Sequence, residues 1–368
     1  MASSDTDPFD FEVARDDLHR CRFSPAPPVS SLELDHGQVL LGVDTFGLTT
    51  NNITYAVFGE MMSYWKFFPA PDGWGRVPVW GFAEVLRSHH PAIAQGERIY
   101  GYLPMSTYFL VEPGKVTGSG FTDKSAHRQE MHALYNHYSL VAGDPSYDAE
   151  REAEQMVFRP LFMTGFLIDD FLADNDFFGA GRVVLSSASS KTAIAVSFCL
   201  SRRRPQGPEV VGLTSQANAP FVESLGSYDR AAAYDDVESL DASVPTVFVD
   251  MAGNGEVLSR VHRHFGSNLR YSCQVGGTHW DRLVMGQELP GPAPALFFAP
   301  AQVAKRTRDW GAAALQEKLG TAWRAFLSSA EGWMTVDRSA GREAIERVYR
   351  QALDGKSDPR RGYVVSIR

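Results

Sequence analysis

Between residues 38 and 120 the apolar residues come in short runs broken by Gly, Pro and His. Residues 38–43, 77–86, 98–103 and 107–112 each read as a strand. The stretch 124–142 departs from this pattern. It gathers His127, Arg128, Gln129, His132, Tyr135, Asn136, His137 and Tyr138, which predicts loop and short helix. From Ala149 acidic residues open a segment whose apolar positions recur at helical spacing through Phe171.

At Gly181 the texture changes. Residues 182–186 form a continuous apolar, β-branched run of the kind buried on both faces of a parallel sheet. A polar turn, Ser187-Ala-Ser-Ser-Lys-Thr192, leads into an apolar helix over 192–200. Strands follow at 209–214, 229–234, 245–251 and 269–275, with helices to Leu225 and over 255–265. Such alternation predicts an α/β doubly wound parallel sheet. The tail adds a helix at 341–353 and a strand at 362–367. The expected domains are 1–150 (β-rich, with a polar insert at 122–148), 151–310 (doubly wound) and 311–368 (completing the first).

Composition narrows the function classes. A chain of 368 residues exceeds one ordinary core, and 44% hydrophobic with 21% charged residues suits two globular domains. A net charge of -9 argues against nucleic acid or anionic membrane as partner. The first twenty residues are acidic and show no apolar core segment, unlike a secretory signal or transit peptide. No apolar run approaches a membrane span. Cys21, Cys199 and Cys273 form neither a disulfide framework nor a CxxC pair, so a reducing cytoplasm is expected.

The turn at 187–192 is the first candidate site. In a doubly wound sheet ligands bind beyond the carboxyl ends of the strands, where a helix N-terminus favours phosphate. Ser187, Ser190 and Ala193 stand where a dinucleotide fingerprint carries glycines. The hydroxyls of Ser187, Ser189, Ser190 and Thr192 and the charge of Lys191 can hold phosphate, although the serines also suit a plain helix cap. The second strand ends at Thr214 and Ser215, with no acid until Glu223. That favours NADP over NAD, unless the two hydroxyls simply open the next helix. Ala252, Gly253 and Gly276, at later strand ends, allow close approach of a dinucleotide.

Several segments resemble the medium-chain dehydrogenase/reductase superfamily, nearest its zinc-independent quinone and enoyl reductases. Residues 38–52 resemble the early strand and turn of its GroES-like domain, and Gly96-Glu-Arg-Ile-Tyr-Gly101 its Gly-Asp-Arg-Val-Tyr-Gly turn. Residues 183–200, 247–253 and 362–367 fall where the Rossmann strands and the closing strand belong. Phe46 stands near the Cys position of the zinc enzymes, and Gly81-Phe82 replaces their Gly-His, so no metal is expected. Segments outside the superfamily pattern, such as Phe297-Phe-Ala-Pro300 and the 135–138 insert, resemble an uncharacterised bacterial branch.

The resemblance implies a GroES-like domain plus a Rossmann domain, NADPH as cofactor, a small-molecule substrate and a homodimer paired through edge strands. It also implies hydride transfer to an activated alkene, carbonyl or quinone, with a Tyr after the early Asn turn assisting. Asn51, Asn52, Tyr55 and Tyr64 are the local candidates, with Lys66 beside the last; ordinary aromatic packing is the rival reading. Tyr135, Asn136 and Phe298 are candidates for substrate contact. His127, His132 and His137 are five apart, which does not put two on one helix face for a metal. A non-redox lyase or hydrolase, or a ligand-binding protein without activity, stays open on the same fold.

Overall fold

In the computed structural model, which describes residues 7–251, 253–276 and 289–368, the chain begins with a strand inside the acidic leader. Strand β1 (Phe9–Ala14) alternates strictly: Phe9, Phe11 and Val13 are buried in the core, while Asp10 and Glu12 lie between them. The acids are matched by cations, Asp10 to Arg76 at 2.6 Å and Glu12 to Arg22 at 2.7 Å. The charges of Asp10 and Glu12 therefore belong to salt bridges of the β-rich unit. β1 pairs antiparallel with β2 (Cys21–Pro25).

The chain then builds β3 (Val39–Leu48), helix α1 (Thr50–Val57), β4 (Trp74–Gly75), β5 (Pro78–Ser88), β6 (Arg98–Pro104), β7 (Tyr108–Val111), β8 (Pro113–Thr117) and β9 (Gly120–Asp123). Part of the expected polar insert is woven into the sheet. After short helix α2 (Ala133–Asn136), strand β10 (His137–Leu140) pairs with both β6 and β9. Helix α3 (Glu152–Asp174) follows. Gly47 of β3 lies so close to α3 that a Cβ there would stand 2.9 Å from the carbonyl of Met156, so only glycine fits.

Next come β11 (Arg182–Leu185), α4 (Lys191–Ser201), β12 (Glu209–Thr214), α5 (Ala219–Ser224), β13 (Arg230–Ala233), β14 (Thr246–Asp250), α6 (Gly255–Phe265), β15 (Leu269–Gln274) and β16 (Ala295–Leu296). These six strands form one parallel sheet in the order β13-β12-β11-β14-β15-β16. Successive residues serve opposite faces. Val183, Leu185, Val247 and Val249 pack with Ile168 and Leu172 of α3 and Val196 and Leu200 of α4. Val184, Val211, Leu213 and Phe248 pack with Val257, Leu258, Val261 and Phe265 of α6. Each such side chain withdrawn from water contributes roughly 1.5–3 kcal/mol.

Helices α7 (Ala299–Trp310) and α8 (Ala312–Ala330) precede β17 (Thr335–Ala340), α9 (Gly341–Leu353) and β18 (Arg361–Ser366). β18 joins β3 antiparallel and β17 parallel, completing the nine-stranded sheet. The chain divides into unit 1, Met1–Val157 with Thr335–Arg368, and unit 2, Phe158–Met334. The expected second boundary at 310 thus moves to 334. The cause is α8, whose Phe326 packs at 5.1 Å from the Phe158 ring, 4.9 Å from Phe162 and 5.3 Å from Phe198. Among the described residues no helix is long and apolar enough to cross a membrane.

Candidate active site

In unit 2 the apolar run of β11 stops at Ser186, a buried hydroxyl at the point where strand order reverses. Its Oγ donates to Asp250 Oδ1 at 2.7 Å and accepts from the Met251 amide at 2.8 Å. The same carboxylate oxygen accepts from the Gly253 amide at 3.1 Å. One serine and one aspartate thus tie together the carboxyl ends of the two central strands. Neither was singled out in the sequence, where both read as the last residues of apolar runs.

Ser187 turns the chain with φ +47°, a left-handed conformation that costs a non-glycine residue energy. Its amide donates to the Tyr234 hydroxyl at 3.1 Å, and its own Oγ lies 3.3 Å from that hydroxyl. Burial pushes the Tyr234 phenol above the ordinary tyrosine range, against the hydrogen bonds from Ser187. Ser190 closes the turn: its amide donates to the Ser187 carbonyl at 2.7 Å, and its Oγ caps α4 by accepting from Ala193 at 3.3 Å. Ser189 Oγ accepts from Thr214 at 3.4 Å and from Asn218 at 3.3 Å. Lys191 and Thr192 form the first turn of α4 and are half-buried.

The turn at 187–192 and the end of β12 are therefore brought together, with Thr214 buried and Ser215 exposed beyond it. Gly276, after β15, passes so near the Met251 carbonyl that a Cβ would stand 2.5 Å from its oxygen. Ala252 lies outside the described residues. Tyr234, just past β13, was not foreseen; it reaches Ser187 from 47 positions away because β13 and β12 follow β11 in the sheet. The donor set here consists of hydroxyls, an amide, an ammonium group and the N-terminus of an eleven-residue helix, with no acid among Thr214–Val222. That chemistry fits a phosphorylated nucleotide.

In unit 1 the polar atoms meet aromatic rings. Tyr55 of α1 lies with its ring 4.9 Å from Tyr64 and 5.3 Å from Tyr102 of β6. Tyr135 of α2 lies 5.0 Å from Tyr102 and 5.8 Å from Tyr64. The Tyr64 and Tyr135 hydroxyls are 3.4 Å apart. Trp80 donates its indole N–H to the Tyr55 hydroxyl at 3.2 Å. Burial raises the pKa of Tyr55, Tyr64, Tyr102 and Tyr135 above the usual tyrosine value, so all four stay protonated at neutral pH.

Asn52 does not join them. Its Oδ1 accepts from the Thr49 amide at 2.8 Å in a capping box, and its Nδ2 donates to the Pro78 carbonyl at 2.8 Å. Both ends of the amide are engaged, so Asn52 starts α1 and anchors it to β5; this corrects the catalytic role expected for it. Asn136 is buried and donates to the Arg128 carbonyl at 2.9 Å, inside the fold. Phe298 belongs to unit 2, at the N-cap of α7, and is 39% exposed, whereas Tyr135 and Asn136 lie in unit 1. Lys66 is exposed, as are His127, His132 and His137. Phe46 and Phe82 are fully buried on the paired strands β3 and β5, with the Arg98 guanidinium 4.8 Å over the Phe82 ring.

A family model described as "Protein of unknown function (DUF2855)" matches residues 46–358. No curated protein matches the chain. Among solved structures it is similar to CurA from Vibrio vulnificus in complex with NADPH, with TM-score 0.61 and 13% identity over 96% of each chain. It is similar to the yhdH oxidoreductase from Salmonella enterica in complex with NADP, with TM-score 0.52 and 13% identity over 98% of this chain and 100% of that one. It is also similar to the CurK enoyl reductase, with TM-score 0.50 and 13% identity over 98% and 99%. At such identities the shared property is the fold, a β-rich unit with a doubly wound parallel sheet.

Proposed function

The chain belongs to the DUF2855 family, and from that premise we propose that it is an NADP-dependent, zinc-independent oxidoreductase passing hydride to a small carbonyl, enone or quinone. The observation that carries this reading is the parallel order of unit 2, whose reversal between β11 and β14 lies beside the turn at 187–192. Structures of the same fold include ones crystallised with NADPH and NADP. Ser187, Ser189, Ser190, Lys191, Thr192, Thr214, Ser215, Gly253 and Gly276 are the residues assigned to hold the dinucleotide. A carboxylate at the end of β12 would repel a 2′-phosphate; Thr214 and Ser215 tolerate one, which supports NADP over NAD.

When bound, the cofactor supplies the hydride. The protein's own part falls to the Tyr64–Tyr135 pair, with Tyr55 behind it. Two protonated phenols donate hydrogen bonds to the substrate oxygen as negative charge develops there, and the Tyr64 Oη proton is the one available for transfer. The side chains of Phe46 and Phe82 offer no lone pair for zinc, which supports stabilisation by phenols instead. Phe298 has no role in this assignment.

A ligand-binding protein without hydride chemistry is the second reading. It is favoured by the Ser187 amide, the first donor of the turn, which is already bonded to Tyr234. Titrating the purified protein with NADPH and NADH, followed by cofactor fluorescence, decides between them. Saturable binding of NADPH with weaker NADH, and NADPH oxidation with an enone, carbonyl or quinone, is expected. Binding of neither nucleotide would falsify the proposal; binding without oxidation by any acceptor supports the second reading.

A further inference from the structure

Tyr64 and Tyr135 come from segments that regular structure does not hold. Tyr64 opens a single 3-10 turn, Tyr64–Lys66, and Tyr135 sits in α2, which has four residues. Helices this short have no stability of their own, so tertiary bonds must fix them. One buried residue bonds to both segments. Arg128, 1% exposed, donates from Nε to the Phe67 carbonyl at 3.2 Å, just past the Tyr64 turn. Its guanidinium lies 5.5 Å over the Phe67 ring and 4.6 Å over the Phe68 ring. On the other side, its carbonyl accepts from Asn136 Nδ2 at 2.9 Å, and Asn136 follows Tyr135 directly. Phe67 touches both phenols, with its ring 5.5 Å from Tyr135 and 6.2 Å from Tyr64. Asp123 of β9 anchors the cation, its Oδ2 being 3.2 Å from Arg128 Nε. The other oxygen, Oδ1, accepts from the Glu112 amide at 3.0 Å and from the Ser125 amide and hydroxyl at 2.9 and 2.7 Å. The carboxylate is thus fixed to the sheet before it meets the arginine.

We infer that Arg128 is a positioning residue, which clamps the Tyr64 and Tyr135 segments together so that their hydroxyls meet. The inference rests on the role proposed above for that phenol pair. Arg128 acts through Phe67 and Asn136 rather than on the reacting atoms. A buried guanidinium is costly even when paired, and an apolar side chain fills the same space at lower cost. What the arginine adds is direction. It gives one bond aimed at one backbone carbonyl, a charge held by β9, and a plane that lies on two rings. The two hydroxyls are 3.4 Å apart across 71 positions of sequence. A small slip of either segment separates them, and reaction rates fall steeply on such displacements.

The test uses Arg128→Lys, with Arg76→Met as control because Arg76 pairs instead with Asp10 of β1 at 2.6 Å. Fluorotyrosine-labelled protein is followed by fluorine NMR, the Tyr64 and Tyr135 resonances being identified from their Phe variants. Arg128→Lys is expected to shift both resonances, and Arg76→Met neither. In steady-state NADPH oxidation Arg128→Lys lowers kcat about tenfold, with KM and NADPH affinity little changed. Combined with Tyr64→Phe it adds little to the loss from Tyr64→Phe alone, because it works through the phenols. A merely structural role lowers the folded fraction and leaves kcat per folded enzyme as it was. That result overturns the inference, as do unmoved resonances or losses that multiply in the double variant. Where Arg128→Lys does not fold, Asn136→Ser decides on the Tyr135 resonance and kcat, since it cuts only the tether beside Tyr135. If the wild type oxidises NADPH with no acceptor, the reductase reading fails, and the resonances alone decide the clamp.

Discussion

The turn of unit 2 and the phenol cluster of unit 1 treat their polar groups in opposite ways. At the turn, Ser186, Ser187, Ser189 and Ser190 each hydrogen-bond within the protein, and the strained Ser187 is held by Tyr234. In the cluster, Tyr64 and Tyr135 have each other at a long 3.4 Å, and Tyr102 behind them has no protein partner. A self-bonded turn keeps its shape without ligand, and a ligand must exchange bonds to enter. Weakly bonded phenols are already free to bond an incoming oxygen. The same chain thus carries a preformed, internally bonded turn and a poorly satisfied hydrogen-bond donor set. In the proposed enzyme the first favours positioning and the second favours chemistry.

The comparison is broken most severely at the phenols. Tyr64→Phe keeps the ring tilted against Tyr55 at 4.9 Å but deletes the hydroxyl. If the pair stabilises developing negative charge, kcat falls on the order of 10²-fold with KM little changed. Tyr135→Phe does the same to a smaller degree. Burial holds both phenols above the ordinary value of about 10. They are therefore protonated throughout the accessible range, and kcat shows no basic limb from their ionisation below about pH 10. Steady-state kinetics of the three proteins between pH 6 and 10 measures this. A rise in KM at constant kcat makes these rings packing groups, and the cluster then loses its chemical role.

A second break acts on the turn. Ser186→Ala removes one donor from the buried Asp250 carboxylate and the acceptor of the Met251 amide. Loss of both bonds between the central strand ends is expected to cost about 1–3 kcal/mol. The shift in urea midpoint measures it, with the slope unchanged if the unfolding unit stays the same. Ser189→Ala is the control, because its hydroxyl holds only the longer contacts from Thr214 and Asn218. Equal losses for the two serines refute a special tie at the strand reversal.

The sheet of unit 2 was legible because its strands are apolar runs buried on both faces, and 209–214 and 255–265 agree with the structure residue for residue. β1 was hidden because every second residue is charged or apolar in turn, and Asp10 and Glu12 read as an acidic leader until their arginines are seen. α8 was hidden because its buried face, from Leu315 to Ala330, is interrupted by exposed polar residues and belongs to a unit the sequence closed too early. The candidate sites divide in the same way. The turn is contiguous in sequence and was found there. Tyr64 and Tyr135 were both named, but their contact spans 71 positions and depends on α2 lying against β6. Tyr102 sits on an ordinary core strand, where nothing in the sequence marks a hydroxyl without a partner.

The finest test separates the two states of the turn. Tyr234→Phe removes the acceptor of the Ser187 amide. The half-buried amide then turns to water, and stability falls by about 0.5–1.5 kcal/mol, the net worth of one hydrogen bond. In the proposed enzyme a nucleotide phosphate no longer competes with the phenol for that amide. NADPH is then expected to bind a few-fold more tightly, as a fluorescence titration against wild type records. Weaker binding reverses the assignment: the Tyr234 hydroxyl, accepting from Ser187, donates its own hydrogen bond to the phosphate and belongs to the binding shell. Unchanged affinity removes the Ser187 amide from the nucleotide site. The turn is then a strained connection held by one phenol, and its likeness to a phosphate loop is one of shape alone.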